Sequence, residues 1–248
     1  MERLIEIMSR LFKIYSPFGN EDQIIDFTTE FLINNCESWE IKVDELGNIM
    51  GKRGELKKFP LLNAHLDTRQ DEIDKKYLDD IKYDNELGIF TLQDVQIGCD
   101  DKVGVAIILY LARYTKLPFK ILLTVREEYG QEGMQYNVEN YPEFYSDIMW
   151  GFTLDRKHAN DIITYYGDRQ LCSDAFIDRI ISLGCKFDIN FIENFGTMAD
   201  TYYLPENIEA VNISVGYYNP HQANDYVNVY ESFKILKFVE YCLENLKI

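Results

Sequence analysis

The sequence of 248 residues predicts an α/β fold in which helices cover both faces of a mixed, mostly parallel sheet. Short apolar runs typical of buried strands alternate along the chain with segments in which apolar residues recur at helical spacing. In addition, 46% of the residues are hydrophobic, which is enough to build a core. Because no repeat or linker-like stretch interrupts the pattern, we expect residues 1–248 to form a single three-layer αβα domain.

The N-terminal part of the chain is predicted to contain two amphipathic helices followed by strands. Apolar residues recur at helical spacing over residues 1–15, and residues 16–19 interrupt that pattern. Asn20 is suited to cap the second helix, whose predicted buried side includes Ile24 and Phe31. Strands are predicted next over residues 39–44, 49–53 and 59–64.

The rest of the chain continues this alternation. Residues 75–90 are typical of a hairpin that turns near Asp84, and a helical pattern begins within residues 97–104. Further strands are predicted over residues 119–125, 147–154, 162–166, 186–192 and 209–215. Further helices are predicted over residues 172–183 and 231–246.

The charge and cysteine content of the chain argue against some classes of binding partner and some kinds of metal site. The chain has 25 Lys and Arg residues against 42 Asp and Glu residues, so its formal net charge is −17. Nucleic acids and anionic membranes are bound through basic patches, and we expect neither as a partner. We expect no signal peptide or membrane span, and the five scattered cysteines favour reduced thiols and a cytoplasmic location. Any metal ion is therefore expected to be held by oxygen and imidazole ligands rather than by thiolates.

Five polar positions lie where predicted strands or helices begin or end. They are His65 with Asp67, Asp100, Glu127 with Glu128, Asp155, and His221. Ligands of open α/β sheets bind at the carboxyl ends of strands, so these side chains are expected to converge. Taken alone, each position is more often a helix cap, a turn residue or a solvated charge. Their joint placement, which uses two of the three histidines, predicts a site for two divalent metal ions.

The residue types at these positions fit metal chemistry. In the extended segment His65-x-Asp67 both side chains lie on one face, so Asp67 can accept the imidazole N–H and orient the ring. Of the adjacent Glu127 and Glu128, one can bind metal while the other deprotonates water. Asp100 between two ions would reduce their mutual repulsion. Imidazole with carboxylate suits zinc best, with cobalt or manganese as substitutes.

The motifs around these positions resemble those of the co-catalytic zinc exopeptidases, most closely the peptidase T and bacterial aminopeptidase type. The matching segments are Leu-Asn-Ala-His65-Leu-Asp67-Thr, Gly-Cys-Asp100-Asp-Lys-Val-Gly, Thr-Val-Arg-Glu127-Glu128-Tyr-Gly, Asp155, and His221-Gln-Ala-Asn-Asp-Tyr-Val. The turn Asp44-Glu-Leu-Gly-Asn48 resembles the turn that precedes the first ligand in that group. The match spans about residues 40–230, and the order of its motifs is specific.

The resemblance implies a hydrolase-like α/β fold and a set of metal ligands. His65 and Asp155 would bind one zinc ion each. We expect Glu128 to share the ion of His65 and His221 to share the ion of Asp155. Asp100 would bridge the two ions.

The resemblance also implies catalytic roles. Glu127 would be the general base that activates water, and Asp67 would orient His65. A cis peptide bond is expected between Asp100 and Asp101. Together these residues would complete a co-catalytic hydrolytic site.

Many members of the group carry an inserted lid domain, which also dimerises, between the equivalents of Asp155 and His221. Only 66 positions separate these two residues here (221 − 155 = 66), and the predicted strands and helices use most of them. We therefore expect a form without the lid and no dimer by that route. A lid histidine that would stabilise the oxyanion is then missing, and Tyr202, Tyr217 or Arg126 could replace it.

The sequence gives a weaker signal for the substrate pocket than for the metal ligands. Residues 195–201 resemble a stretch that forms a pocket wall in the group, which implies substrate binding by Asp200 and Thr201. A helix cap explains these two residues equally well. His158, the third histidine, is expected in a surface loop.

The resemblance implies a metal-dependent exopeptidase, and the leading hypothesis is an aminopeptidase that acts on short peptides. One alternative is an amidohydrolase of N-acyl amino acids with the same metals, because a fold does not determine its substrate. The other is a catalytically silent relative that binds a peptide. The complete set of ligands and base argues against the silent form.

Overall fold

The computed structural model describes residues 1–196 and 198–246, and its largest element is a mixed sheet of nine strands. The strands of this sheet are β1 (Trp39–Val43), β2 (Ile49–Arg53), β3 (Phe59–His65), β6 (Phe119–Thr124), β7 (Ile148–Arg156), β8 (Asp161–Tyr166), β9 (Arg169–Gln170), β10 (Ile192–Phe195) and β11 (Glu209–Ser214). A smaller antiparallel sheet consists of β4 (Lys82–Asp84), β5 (Ile89–Thr91), β12 (Tyr217–Tyr218) and β13 (Tyr226–Asn228). The helices are α1 (Glu2–Leu11), α2 (Asp22–Asn35), α3 (Cys99–Tyr114), α4 (Glu132–Asn140), α5 (Pro142–Tyr145), α6 (Asp174–Gly184) and α7 (Val229–Asn245).

The strand order across the large sheet is β1-β2-β6-β3-β7-β11-β8-β10, with β9 beside β8. The four central strands β6, β3, β7 and β11 run parallel. The flanking pairs β1–β2, β2–β6 and β11–β8 are antiparallel. The predicted mixed α/β sheet is confirmed, although parallel pairing is confined to the centre and to β8–β10.

Helices pack on both faces of the sheet because successive strand residues point to opposite sides. In β6, Ile121 and Leu123 belong to the core that also contains residues of α1, α3 and α7. Leu122 between them belongs to the opposite core, together with Met134 of α4 and Tyr145 of α5. The two separate cores confirm the predicted layer arrangement.

The strand prediction for residues 186–192 is wrong. The chain forms a short 3₁₀ turn at Cys185–Phe187, and β10 begins only at Ile192. The apolar residues of this stretch are used elsewhere, because Phe191 packs on Phe238 of α7 with ring centroids 5.2 Å apart. Apolar composition alone does not distinguish a strand from a buried connection of this kind.

Two further local predictions are corrected. Helix α2 has Glu21 rather than Asn20 at its N-cap, and no side chain caps it. Of the hairpin predicted over residues 75–90, only β4 and β5 are strands, and a 3₁₀ helix at Asp74–Asp80 precedes them. Helices α4 and α5 were not predicted from the sequence.

All five cysteines are free, as expected, and four of them are buried. Burial raises the pKa of Cys36 to about 11 and that of Cys172 to about 12. No helix within residues 1–196 and 198–246 is long and apolar enough to cross a membrane.

Candidate metal centre

The carboxyl-terminal edge of the large sheet brings together most of the predicted ligands. His65 is the last residue of β3, Glu127 and Glu128 follow β6, and Asp155 lies near the end of β7. These strands are parallel neighbours, so their carboxyl ends open on one edge of the sheet. Asp100, at the start of α3, completes this side of the site.

Asp100 lies at the centre of the cluster. Its Oδ1 is 3.1 Å from Nε2 of His65, and its Oδ2 is 3.2 Å from Nε2 of His221. Nε2 of His65 is also 3.6 Å from Oδ1 of Asp155, and Nε2 of His221 is 2.7 Å from Oε1 of Glu128. The two oxygens of one carboxylate therefore face two different groups of donors.

The donor atoms form two groups that could each hold one ion. The groups are His65, Asp100 and Asp155 on one side, and Asp100, Glu128 and His221 on the other. The pairing expected from the sequence, His65 with Glu128 and Asp155 with His221, is therefore wrong. The end of β7 lies directly beside that of β3, while the connection between β12 and β13 carries His221 to Glu128.

Hydrogen bonds fix the backbone on both sides of Asp100. The expected cis peptide bond joins Asp100 and Asp101. The buried carboxylate of Asp101 accepts the backbone N–H of His65 at 3.2 Å. On the other side, Asp225 accepts the backbone N–H groups of residues 97–99 at 2.7, 3.0 and 3.2 Å. Protein contacts alone thus place the shared carboxylate.

Asp67 acts on the site differently from the expectation. Nδ1 of His65 is 2.9 Å from the backbone carbonyl oxygen of Asp67 and 3.6 Å from its carboxylate. The carboxylate instead accepts the backbone N–H of Glu127 at 2.9 Å and that of Glu128 at 3.0 Å. The main chain of Asp67 therefore orients the imidazole, and its side chain positions the two glutamates.

Glu127 combines burial with access to the site. Its side chain lines the cleft, although the residue is only 7% exposed. Nε2 of Gln131 donates a hydrogen bond to its Oε1 at 3.0 Å. Burial raises the pKa of Glu127 well above its ordinary value, which makes the carboxylate a stronger base than it is in water.

The charges of the cluster favour bound cations. Burial and then the negative charge of Asp100 raise the pKa of Asp155 to about 7. Burial opposes protonation of His221, but hydrogen bonds to Asp100 and Glu128 raise its pKa to about 9. Closely spaced carboxylates with little solvent around them repel one another unless positive charge lies between them. Three carboxylates and two imidazoles fit two divalent ions such as zinc.

The potential ligands line a cleft with a volume of about 470 Å³, which is typical of sites for small ligands. Tyr217 lines this cleft, and its hydroxyl donates to Oδ1 of Asp155 at 3.1 Å. Of the other residues considered for oxyanion stabilisation, neither Tyr202 nor Arg126 lines it. His158 is half exposed, as expected for a loop residue, and it also lines the cleft.

Asp200 and Thr201 do not line the cleft and are 1% and 0% exposed. The Asp200 carboxylate accepts hydrogen bonds from Nδ2 of Asn63, at 3.2 Å, and from the Thr124 hydroxyl. The prediction of substrate contact by these residues is therefore wrong. Their 3₁₀ turn directs Asp200 toward β3 and β6, while the preceding residue, Ala199, lines the cleft.

Two residues that support the ligands were not predicted from the sequence. Nε of Arg69 donates to Oε2 of Glu128 at 2.7 Å, which leaves Oε1 facing His221. Asn212 donates from Nδ2 to the backbone carbonyl of Asp155 at 2.9 Å and accepts its N–H at 3.2 Å. Arg69 lies close to the His65 motif, which could have drawn attention to it. Asn212 lies inside an apolar strand, and no pattern marks it.

Comparison with known proteins places this geometry on a known fold. No protein-family model matches the chain. Aminopeptidase PepT from Bacillus cereus is 14% identical, with 98% of each chain covered and a TM-score of 0.79. A tripeptidase from Staphylococcus aureus is 14% identical, covering 98% of this chain and 99% of that one at a TM-score of 0.76. The TET1 peptidase of Pyrococcus horikoshii is 15% identical, covering 96% and 98% at a TM-score of 0.73. The chain has the fold of these peptidases.

The fold expected from the resemblance is therefore confirmed over nearly the whole chain. At 12–15% identity the agreement concerns the path of the backbone. The arrangement of His65, Asp100, Glu127, Glu128, Asp155 and His221 is an independent property of this structure.

Proposed function

We propose that the protein is a metal-dependent exopeptidase, and specifically an aminopeptidase that hydrolyses short peptides. The proposal is carried by Asp100, whose two carboxylate oxygens face His65 on one side and His221 on the other. Glu127, a buried carboxylate suited to act as a base, lines the same cleft. The structural neighbours named aminopeptidase and tripeptidase support the same class of reaction.

In this proposal His65, Asp155 and Asp100 hold one ion, and Asp100, Glu128 and His221 hold the other. The donor set favours zinc, with cobalt or manganese as substitutes. When bound, two such ions would polarise the scissile carbonyl and make the attacking water more acidic.

The protein's own groups would then move the protons. Glu127 takes a proton from the attacking water and delivers it to the leaving amine. Gln131 holds Oε1 of Glu127 from the other side and so limits the directions in which the carboxylate can turn. The Tyr217 hydroxyl is the candidate donor to the developing oxyanion.

We further propose that residues 1–248 act as one catalytic domain without a lid. Between Asp155 and His221 the described chain contributes β8, β9, β10 and β11 to the large sheet and packs α6 against the same core. The free, mostly buried cysteines support a cytoplasmic location. A short peptide is the proposed partner, and neither nucleic acid nor membrane is.

The decisive experiment compares Glu127→Gln with the wild-type protein after zinc loading. We expect both proteins to bind two ions per chain and only the wild type to hydrolyse a dipeptide with a free N-terminus. Glu139→Gln, on the exposed side of α4, is the matched control and should retain activity. Full activity of Glu127→Gln would refute the assigned base.

A panel of free and N-acylated dipeptides tests the substrate class. Hydrolysis of the free peptides supports an aminopeptidase, whereas hydrolysis of the acylated compounds alone would show the deacylase instead. Less than one ion per chain, together with no hydrolysis, would show a silent peptide-binding protein.

A further inference from the structure

Lys157 lies on the wall of the cleft that contains the metal-binding cluster. Strand β7 carries Asp155 and ends at Arg156, so Lys157 follows directly on the extended segment. Residues two apart in an extended chain are separated by about 7 Å. Lys157 and Asp155 therefore line the same cleft at nearby positions, where one substrate could contact both.

The backbone of Lys157 is held firmly from both sides. The hydroxyl of Ser214 donates to the carbonyl oxygen of Lys157 at 2.6 Å. The backbone N–H of Val215 donates to the carbonyl of Arg156 at 2.9 Å, and the N–H of His158 donates to the carbonyl of Tyr217 at 2.8 Å. The base of the lysine side chain is thus fixed in place before any ligand arrives.

The other long cationic side chains of the cleft are already paired. Arg69 binds Glu128 with an N–O distance of 2.7 Å. Arg156 binds Oδ2 of Asp161 through two nitrogens at 3.0 and 2.9 Å. Within residues 1–196 and 198–246, the Lys157 ammonium group has no hydrogen-bond acceptor and no ion-pair partner. Among the long cationic side chains that line the cleft, Lys157 is therefore the one left available to an incoming ligand.

An unpaired, half-buried cation is notable in a chain with a net charge of −17. Acidic side chains are abundant, yet none within the described ranges neutralises this group. The amide side chains of Asn219 and Gln222, which also line the cleft, can donate hydrogen bonds. An ammonium group together with amide donors is suited to binding a carboxylate.

We propose that Lys157 binds a carboxylate of the substrate and makes the site selective for peptides that carry one. This inference rests on the proposed peptidase function. The carboxylate has two possible sources, the C-terminus of a di- or tripeptide and an acidic side chain next to the scissile bond. Lys157 acts in either case as a specificity residue, because it contacts the substrate away from the reacting atoms.

The test compares two matched pairs of substrates with the zinc-loaded protein. Leu-Gly against Leu-Gly amide tests the terminal carboxylate, and Leu-Asp amide against Leu-Asn amide tests the side-chain carboxylate. We expect the charged member of at least one pair to have a kcat/KM about tenfold higher in the wild type. In Lys157→Met this preference should disappear, mainly through a higher KM, and Lys157→Arg should restore it.

Lys57→Met is the matched control, because Lys57 is exposed and does not line the cleft. It should keep the wild-type preference. The pair that responds to Lys157→Met identifies the source of the carboxylate. Equal rates within both pairs in the wild type, or preferences unchanged in Lys157→Met, would overturn the inference while leaving the peptidase function intact.

Binding measured without turnover separates this inference from the proposed function. Calorimetry with zinc-loaded Glu127→Gln, with and without Lys157→Met, gives the affinity for the same four compounds. If the wild type cleaves none of them but the carboxylate preference in binding depends on Lys157, the proposed function fails and the carboxylate site stands. If no such preference in binding exists, the carboxylate site is refuted.

Discussion

Oδ2 of Asp225 accepts two hydrogen bonds from Cys99, one from its backbone N–H and one from its thiol, each at 3.2 Å. Asp225 lies four residues after His221, and Cys99 directly precedes Asp100. The contact between Asp225 and Cys99 therefore connects the segment that carries His221 to the start of α3, which carries Asp100. Burial raises the pKa of Asp225 to about 6, against the opposing effect of these hydrogen bonds.

We predict that Asp225→Asn weakens zinc binding by about tenfold or more, in the range seen for groups that orient metal ligands. The substitution places an amide N–H₂ where one carboxylate oxygen accepts a backbone N–H, so the loop before Asp100 must shift. Zinc affinity measured by competition with a chelator is the readout. Asp79→Asn, at an exposed position, is the control, and an unchanged affinity in Asp225→Asn would contradict the role assigned here.

Asp67→Asn should reduce kcat more than it reduces zinc content. Each oxygen of Asp67 accepts the backbone N–H of one glutamate, Glu127 or Glu128, and an asparagine can satisfy only one of them. The imidazole of His65 bonds to the main chain of residue 67, which the substitution leaves in place. We expect kcat to fall at least tenfold and the free energy of unfolding by about 1–3 kcal/mol.

Steady-state kinetics and metal analysis of the same Asp67→Asn preparation check this prediction. A variant that loses both metal and activity in proportion would show that Asp67 acts mainly on His65, as expected from the sequence. A fully active variant would show that the glutamate backbone does not need this carboxylate.

Removal of metal should lower thermal stability, because bound ions stabilise only the folded protein. At a free zinc concentration of 100 times Kd the gain is about 2.7 kcal/mol, and about 2–4 °C of Tm accompanies each kcal/mol in a chain of this size. We therefore expect a chelator to lower Tm by about 5–10 °C and added zinc to restore it. Asp100→Asn, which lacks the charge shared by both groups, should show a much smaller response; an identical response would argue against a shared ligand.

Gly104→Ala should destabilise the protein and disturb the metal site together. A Cβ at this position would lie 2.2 Å from the carbonyl oxygen of Leu154 and 2.5 Å from Oδ1 of Asp101. Overpacking of this kind costs about 3 kcal/mol, measured by denaturant unfolding. Gly19→Ala is the comparison, because its Cβ would meet nothing within 4 Å and only its positive φ of 79° opposes the substitution, at roughly 1 kcal/mol. Equal losses in the two variants would contradict the close approach of α3 to β7.

Much of the local structure could be predicted because it depends on nearby residues. The strands that begin at Phe59 and Phe119 are buried along their whole length, and their mostly apolar composition is visible in the sequence. The stretch around Phe191 was misassigned because the same composition also fits a connection packed under a helix. The short helices α4 and α5 depend on contacts with the sheet, such as that of Tyr145, which no local pattern records.

The residues of the candidate site were also predicted only in part from the sequence. Motif order marked His65, Asp100 and His221, because the types of side chain that hold metal ions are few. It misassigned Asp200, since the same residue type serves equally well as a buried hydrogen-bond acceptor. The direction in which a side chain points follows from its turn, and that direction is not encoded in spacing alone.

By itself the sequence determined the α/β class, the buried strands and the identity of the polar residues at their ends, because periodicity and residue type are local properties. Only the tertiary structure decided which residues belong to the same group of potential metal ligands. It places His65 beside Asp155 and Glu128 beside His221. It also showed that Lys157 lacks a partner within the described residues. These relations depend on which strands lie side by side and on how far each loop reaches, and residues distant in the chain jointly determine both.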